Sequence, residues 1–304
     1  MKDNNIQDAL SWINFLNESK KRNIYPPKKV ELFNRLIAHT KNFFVIAALG
    51  AFNPGYLMII TKELIPSLSL IEDSQLEELK WLISSLKKAL KETYDKDVVL
   101  FEHGMCACVG GLDRAHLHIM TISKNIDDNF LKETINEVLV KRKAGIKSID
   151  FNGYKLENIH DINEILKSKD SSSYKIEGKQ LLYEDIKDDM DVKNWPVSTR
   201  KHVMKGGHYV YFQTKTFNTS FLTKENFQTQ MGRQIVFEVE VKKNKALKEF
   251  HNKVMEKNDY ANIWRWQEFS FKENILKTME DLIPSLQKID TNNTFKFQTF
   301  KKET

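Results

Sequence analysis

The sequence predicts an α+β fold with a mainly antiparallel sheet and packed helices. Three observations carry that reading. Short apolar runs, one of them alternating with period two, fall at residues 43–61 and 98–122 and read as strands. A longer stretch from Ser74 carries leucines at helical spacing between them. The resulting order, β-β-α-β-β, is followed by a second strand-then-helix region that predicts a C-terminal α+β part.

At 304 residues, with 41% hydrophobic and 29% charged residues, the chain has material for a sizeable core. The net charge of +6 is spread over 47 basic and 41 acidic residues. That mild balance tolerates an anionic substrate and does not indicate nucleic-acid binding. Two cysteines, Cys106 and Cys108, make no disulfide framework and fit a reducing, cytoplasmic setting. Met1–Asp8 has no apolar signal core, and no transmembrane helix is expected.

Taken in order, residues 1–25 predict a helical segment with Ala9, Trp12, Ile13 and Leu16 along one stripe, ended by Pro26-Pro27. Residues 26–125 form the expected catalytic domain. In it, Phe43–Leu49 and Tyr56–Thr61 flank an Asn53-Pro54-Gly55 turn as a hairpin. Ser74-x-x-Glu77 reads as a capping box, opening a helix with Leu76, Leu79, Leu82, Ile83, Leu86 and Leu90 on its apolar side. Lys87, Lys88 and Lys91 are expected on its solvated face. Val98–Phe101 is a short strand running into a Glu102-His103-Gly104 turn. Residues 126–304 form an accessory region: helices at Phe130–Val140 and Ile159–Leu166, a strand at Gly207–Gln213, a helix from Asn226 to Val241 and another at Phe271–Leu282. Trp264 and Trp266 are expected in strand or core.

The informative stretch is Gly110-Gly-Leu-Asp-Arg-Ala-His-Leu-His-Ile-Met-Thr-Ile122. Its alternation sets Ala115, Leu117 and Ile119 against His116, His118 and Met120, so both imidazoles share one face of a strand. Side-by-side imidazoles serve one phosphorus atom or one metal ion. Glycines upstream let backbone N–H groups approach an anion.

Arg114-Ala-His116-Leu-His118-Ile-Met120 resembles the histidine triad (HIT) superfamily motif, His-x-His-x-His. The favoured register puts Arg114 in the place of the first histidine, because Gly111-Leu-Asp-Arg-Ala-His-Leu-His118 departs at one position from the form Gly-x-Asp-His-Ala-His-Leu-His. The other register would make Met120 the missing third one. The likeness extends through Phe43–Lys62 and Phe101-Glu-His-Gly104, covering about the first 125 residues. It implies a HIT-like nucleotide hydrolase or nucleotidyltransferase acting at the α-phosphate of a nucleotide conjugate or dinucleotide. His116 would be the nucleophile of a covalent intermediate, its second nitrogen held by a backbone carbonyl, and His118 a donor to a phosphate oxygen or leaving group. Gly110 and Gly111 would support N–H groups around the phosphate. Asn53 would contact phosphate or leaving group, while His103 either contacts substrate or simply satisfies its turn. Arg114 offers a guanidinium fork to phosphate or merely replaces a supporting histidine. Tyr56 stands where the family usually has another supporting histidine.

Two other readings compete. With Arg114 and Tyr56 in those places, a catalytically weakened nucleotide-binding protein is one. A metal-dependent hydrolase, with His116 and His118 joined by His103, Cys106 or Cys108 around zinc, ranks lower, because Cys-x-Cys is not the usual knuckle spacing. No cofactor is expected to be required, although a divalent cation is compatible with the substrate, and a homodimer is compatible with the fold. His39, His160, His202 and His251 are expected at the surface, and His208 is open. Tyr209–Gln213 and Gln228–Arg233 are expected to pack near the His116 face and select the leaving group.

Overall fold

In the computed structural model the described residues are 34–63, 65–104, 114–141, 148–151, 154–156, 174–177, 187–188, 195–216, 218–223, 230–257, 263–266 and 269–297. They form an α+β structure around a nine-stranded sheet of order β12-β1-β2-β3-β5-β4-β10-β11-β9. The strands are β1 (Leu36–His39), β2 (Phe43–Ala47), β3 (Leu57–Thr61), β4 (Asp97–Gly104), β5 (His116–Ile122), β9 (Lys187–Asp188), β10 (His208–Gln213), β11 (Asn218–Thr223) and β12 (Lys296–Phe297). Every pairing in it is antiparallel. A separate three-stranded sheet joins β6 (Ser148–Phe151), β7 (Tyr154–Leu156) and β8 (Tyr174–Glu177). The expected segments at residues 1–25 and Ile159–Leu166 lie outside the described residues.

The large sheet runs straight across residue 125. β10, from the C-terminal half, pairs along β4 with Tyr211 opposite Glu102, and β12 closes the far edge against β1. The helices are α1 (Asp73–Tyr94), α2 (Asp128–Lys141), α3 (Met231–Lys243), α4 (Lys245–Lys257) and α5 (Lys272–Ile289). Leu79, Leu82, Leu86 and Leu90 form the buried side of α1, which packs under β4 and β5 and against α5. α3 packs against both α2 and α4. No helix among the described residues is long and apolar enough to cross a membrane.

Strand β5 is interior to the sheet, between β3 and β4. Leu117 and Ile119 point into the layer beneath and are fully buried. Each contributes about 1.5–3 kcal/mol through burial, which fixes the register and therefore the face on which His116 and His118 emerge.

Three local expectations change. The capping box of α1 uses Glu72 and Gln75 rather than Ser74 and Glu77, because the helix begins two residues earlier, at Asp73. The Glu102-His103-Gly104 tetrapeptide end is not a turn. Pairing with β10 keeps it extended to Gly104, where the absent side chain makes room for the Tyr209 ring. Lys87 is half-buried rather than solvated and donates to Gln213 Oε1 at 3.2 Å.

Candidate functional site

The site is built on β5 and its two neighbours. Across β3, Ile60 lies opposite His116 and Met58 opposite His118; across β4, Phe101 lies opposite His118. The same antiparallel register carries His103 to the level of His116. The rings of His116 and His118 meet edge to face, centroids 5.0 Å apart. Phe101 stacks flat on His118 at 4.4 Å, which holds that imidazole upright on the sheet. Both histidines remain partly exposed while their neighbours Leu117 and Ile119 are buried.

Each imidazole has one nitrogen already engaged. Nδ1 of His116 donates to the Arg114 carbonyl at 2.9 Å. A carbonyl only accepts, so the proton sits on Nδ1 and the lone pair on Nε2. Nδ1 of His118 is 2.7 Å from the Tyr56 hydroxyl. Nε2 of His103 accepts from the Gly232 amide at 2.9 Å. Burial lowers the His116 pKa, with partial opposition from the bond to Arg114. Burial, then the neighbouring His116, His103 and Arg233 charges, push His118 well below the ordinary imidazole range. Burial and His116 bring His103 down to about 3. All three imidazoles are therefore neutral at neutral pH.

The C-terminal half enters the site through the start of α3. Gly232 comes close enough to β4 that any side chain there would strike Phe101 and His103. The next residue, Arg233, is 3% exposed; its guanidinium lies 5.5 Å from the Tyr56 ring centroid and donates to the Gly50 carbonyl at 2.9 Å. Phe101 and Gly232 are not among the site residues expected from the sequence, whereas Arg233 lies in the Gln228–Arg233 segment expected near the His116 face. Period two from His103 was a usable signal for Phe101.

Other expected residues are placed as follows. Arg114 acts on His116 through its backbone carbonyl, while its guanidinium reaches the Thr61 carbonyl at 3.4 Å. Tyr56 is fully buried and meets His118 directly. His103 is on the histidine face, but the nitrogen it presents is held by Gly232. Asn53 is not brought to the histidines. It is 2% exposed, and it donates to Glu240 Oε2 at 2.8 Å and the Thr121 carbonyl at 3.2 Å, and accepts from Asn244 at 3.2 Å. Those bonds pin the hairpin turn to α3 instead of facing a ligand. Gly110, Gly111, Cys106, Cys108, His160 and Gln228 lie outside the described residues.

Of β10, Val210 lies opposite His103 and the Phe212 ring sits 5.8 Å from Phe101, on the histidine side. Tyr209 and Tyr211 alternate to the reverse face, contrary to the expected role of Tyr211; there Tyr211 stacks on Trp195 at 3.9 Å. His39, expected at the surface, is buried beside Phe44 and Lys62. Among the described residues no three His, Cys, Asp or Glu side chains converge as a metal site. The arrangement offers one unprotonated imidazole nitrogen beside a second imidazole, over an apolar floor, at the mouth of a helix N-terminus.

No protein-family model matches the chain, and no curated protein matches it significantly.

Proposed function

We propose that the chain is a HIT-like nucleotide hydrolase or nucleotidyltransferase, acting at the α-phosphate of a nucleotide conjugate or dinucleotide through a nucleotidyl-His116 intermediate. The observation that carries this reading is the 2.9 Å bond from His116 Nδ1 to the Arg114 carbonyl. It commits the lone pair to Nε2, the atom a covalent route needs. In the first step Nε2 attacks phosphorus, a P–N bond forms, and the P–O bond to the leaving group breaks with its electron pair on oxygen. His118 donates to a phosphate oxygen or to that leaving oxygen. In the second step water or another acceptor attacks phosphorus and returns the lone pair to Nε2. The N-terminus of α3, just beyond His103, favours the negative charge that the substrate brings. The protein would work in the cytoplasm, with no cofactor of its own.

The test is intact-protein mass spectrometry after brief incubation with a panel of nucleotides, nucleotide conjugates and dinucleotides. An acid-labile nucleotidyl adduct, absent from His116→Ala and formed undiminished in strong chelator, is the expected result. Retained turnover in His116→Ala overturns the mechanism, and loss of activity in chelator favours the metal-dependent alternative.

One observation favours a second reading, a nucleotide-binding protein with weakened chemistry: His118 is held so far toward its neutral form that it is a poor acid. That reading requires binding by calorimetry with no product, and affinity unchanged in His116→Ala.

A further inference from the structure

The two histidines of β5 rest on partners of opposite character. His116 Nδ1 faces a carbonyl, which only accepts. His118 Nδ1 faces a hydroxyl, which does either. What decides the second case is where the Tyr56 proton can go. Tyr56 is 0% exposed, and among the described residues its hydroxyl has His118 Nδ1 as its hydrogen-bond partner. Burial raises the phenol pKa, with the Arg233 charge opposing only in part, so the hydroxyl keeps its proton. If His118 carried hydrogen on Nδ1, that hydrogen would meet the phenol oxygen and the hydroxyl hydrogen would be left buried with no acceptor. An orphaned buried donor forfeits its hydration with nothing in return, so that arrangement is strongly disfavoured. With the hydroxyl donating to Nδ1 no group is orphaned, and the His118 proton sits on Nε2.

We propose that Tyr56 is a positioning residue that locks His118 in its Nε2–H tautomer, opposite to that of His116, and that Arg233 holds Tyr56 in place from the C-terminal half. The site then presents an acceptor nitrogen and a donor nitrogen on neighbouring rings whose centroids are 5.0 Å apart. Without the lock a neutral His118 would divide between two tautomers, one of which presents a second lone pair where phosphate oxygens must bind. Arg233 clamps the phenol from above and bonds the carbonyl of Gly50, which has φ +70 and whose missing side chain leaves the guanidinium its space. The bond joins residues 183 positions apart, so the C-terminal half sets the protonation pattern of a pair that lies wholly in the N-terminal half.

The catalytic consequence rests on the proposed function; the tautomer does not, and it is measured without any substrate. The full chain, labelled with ¹⁵N-histidine, is examined by NMR through the two- and three-bond couplings of the imidazole ring at neutral pH, with His116→Gln and His118→Gln to assign the signals. The expected wild-type pattern is Nδ1 protonated in His116 and Nε2 protonated in His118. Tyr56→Phe keeps the ring and the packing but removes the proton. It should move the His118 nitrogens toward averaged, mixed-tautomer shifts while His116 stays fixed. Arg233→Met should produce a smaller displacement of the same signals. With a substrate that gives the adduct, Tyr56→Phe should lower kcat by about tenfold or more, with KM little changed. An Nδ1-protonated His118 in the wild type, or a His118 spectrum unaltered by Tyr56→Phe, overturns the lock even if the adduct forms. The expected spectra without any adduct would sink the proposed function and leave the lock standing.

Discussion

The amide of Gly232 donates to Nε2 of His103 at 2.9 Å, joining the first turn of α3 to the end of β4. The bond makes His103 an acceptor for the protein's own backbone. His103→Ala should therefore leave a buried N–H unpaired and cost about 1–3 kcal/mol in urea unfolding. His103→Gln, which keeps an acceptor near that point, should recover most of the loss. A residue that served only to touch substrate would show the reverse, with turnover lost in both variants and stability unchanged.

Gly232 itself allows a second check on the same contact. A methyl group there would collide with the Phe101 ring and reach His103. Gly232→Ala should destabilise the protein by about 1–3 kcal/mol through overpacking. Because Phe101 is the ring stacked on His118, the variant should also lose activity at temperatures where it is still folded. Circular dichroism and turnover at one low temperature separate the two effects.

Glu102 predicts a pH dependence of stability. It points away from the histidines, is 1% exposed, accepts from the Leu68 amide at 2.8 Å and from the Tyr209 hydroxyl, and burial pushes its pKa up to about 7. The folded state therefore binds a proton more tightly than the unfolded state, whose carboxyl titrates near 4.5. The stability contributed by the protonated form is complete below pH 4.5 and is lost as pH rises through about 7. The buried histidines act in the opposite sense, because their depressed values cost stability as pH falls below the ordinary imidazole range. Subtracting Glu102→Gln from wild type cancels their effect. The difference should grow by roughly 3 kcal/mol between pH 4.5 and 8, in favour of the variant. A flat difference would mean that Glu102 titrates normally.

How much of this was visible in the sequence depends on the range of the interaction. The β5 histidines were legible because strict alternation around Leu117 and Ile119 forces them onto one face. The hairpin and α1 were legible for the same reason of local pattern, although the cap of α1 was misread by two residues. His103 falls in an expected turn, and only the pairing of this stretch with β10 explains the extended backbone. Glu102 was illegible as a buried acid, since an acid in an expected turn is ordinary and its partner Tyr209 lies 107 positions away. The Gln228–Arg233 segment was expected near the histidines, but the bond from Arg233 to Gly50 and the acceptor set of Asn53 were illegible, since nothing local links them to Gly50 or to Glu240.

The covalent step needs neutral His116, so the sign of its shift sets the acid limb of the rate. Burial lowers its pKa from 6.5. The neutral nucleophile then persists below pH 6.5, and kcat/KM should fall only at more acid pH than a free imidazole would dictate. His118→Ala should lower kcat by about 10²–10³, as loss of one preorganised donor does, without moving that limb. A limb at or above 6.5 would show that His116 is not held neutral by its surroundings.

Asn53 and Glu240 are joined at 2.8 Å inside the protein, and their coupling separates a structural from a phosphate-binding role for Asn53. The Glu240 carboxylate also accepts from the amide and hydroxyl of Ser123, so the donor provided by Asn53 is part of what keeps a fully buried charge satisfied. Asn53→Asp sets two carboxylates against each other and should cost about 3–5 kcal/mol, the range for breaking a buried charged contact. Glu240→Gln alone removes the charge and leaves an amide able to accept from Ser123; it should cost less. Adding Glu240→Gln to Asn53→Asp lets the new amide donate to the aspartate, so the double variant should be more stable than Asn53→Asp by itself. Chemical unfolding of all four proteins gives the coupling energy directly. If the losses simply add, or if Asn53→Asp stays fully stable and loses only nucleotide binding, Asn53 belongs to the ligand rather than to α3.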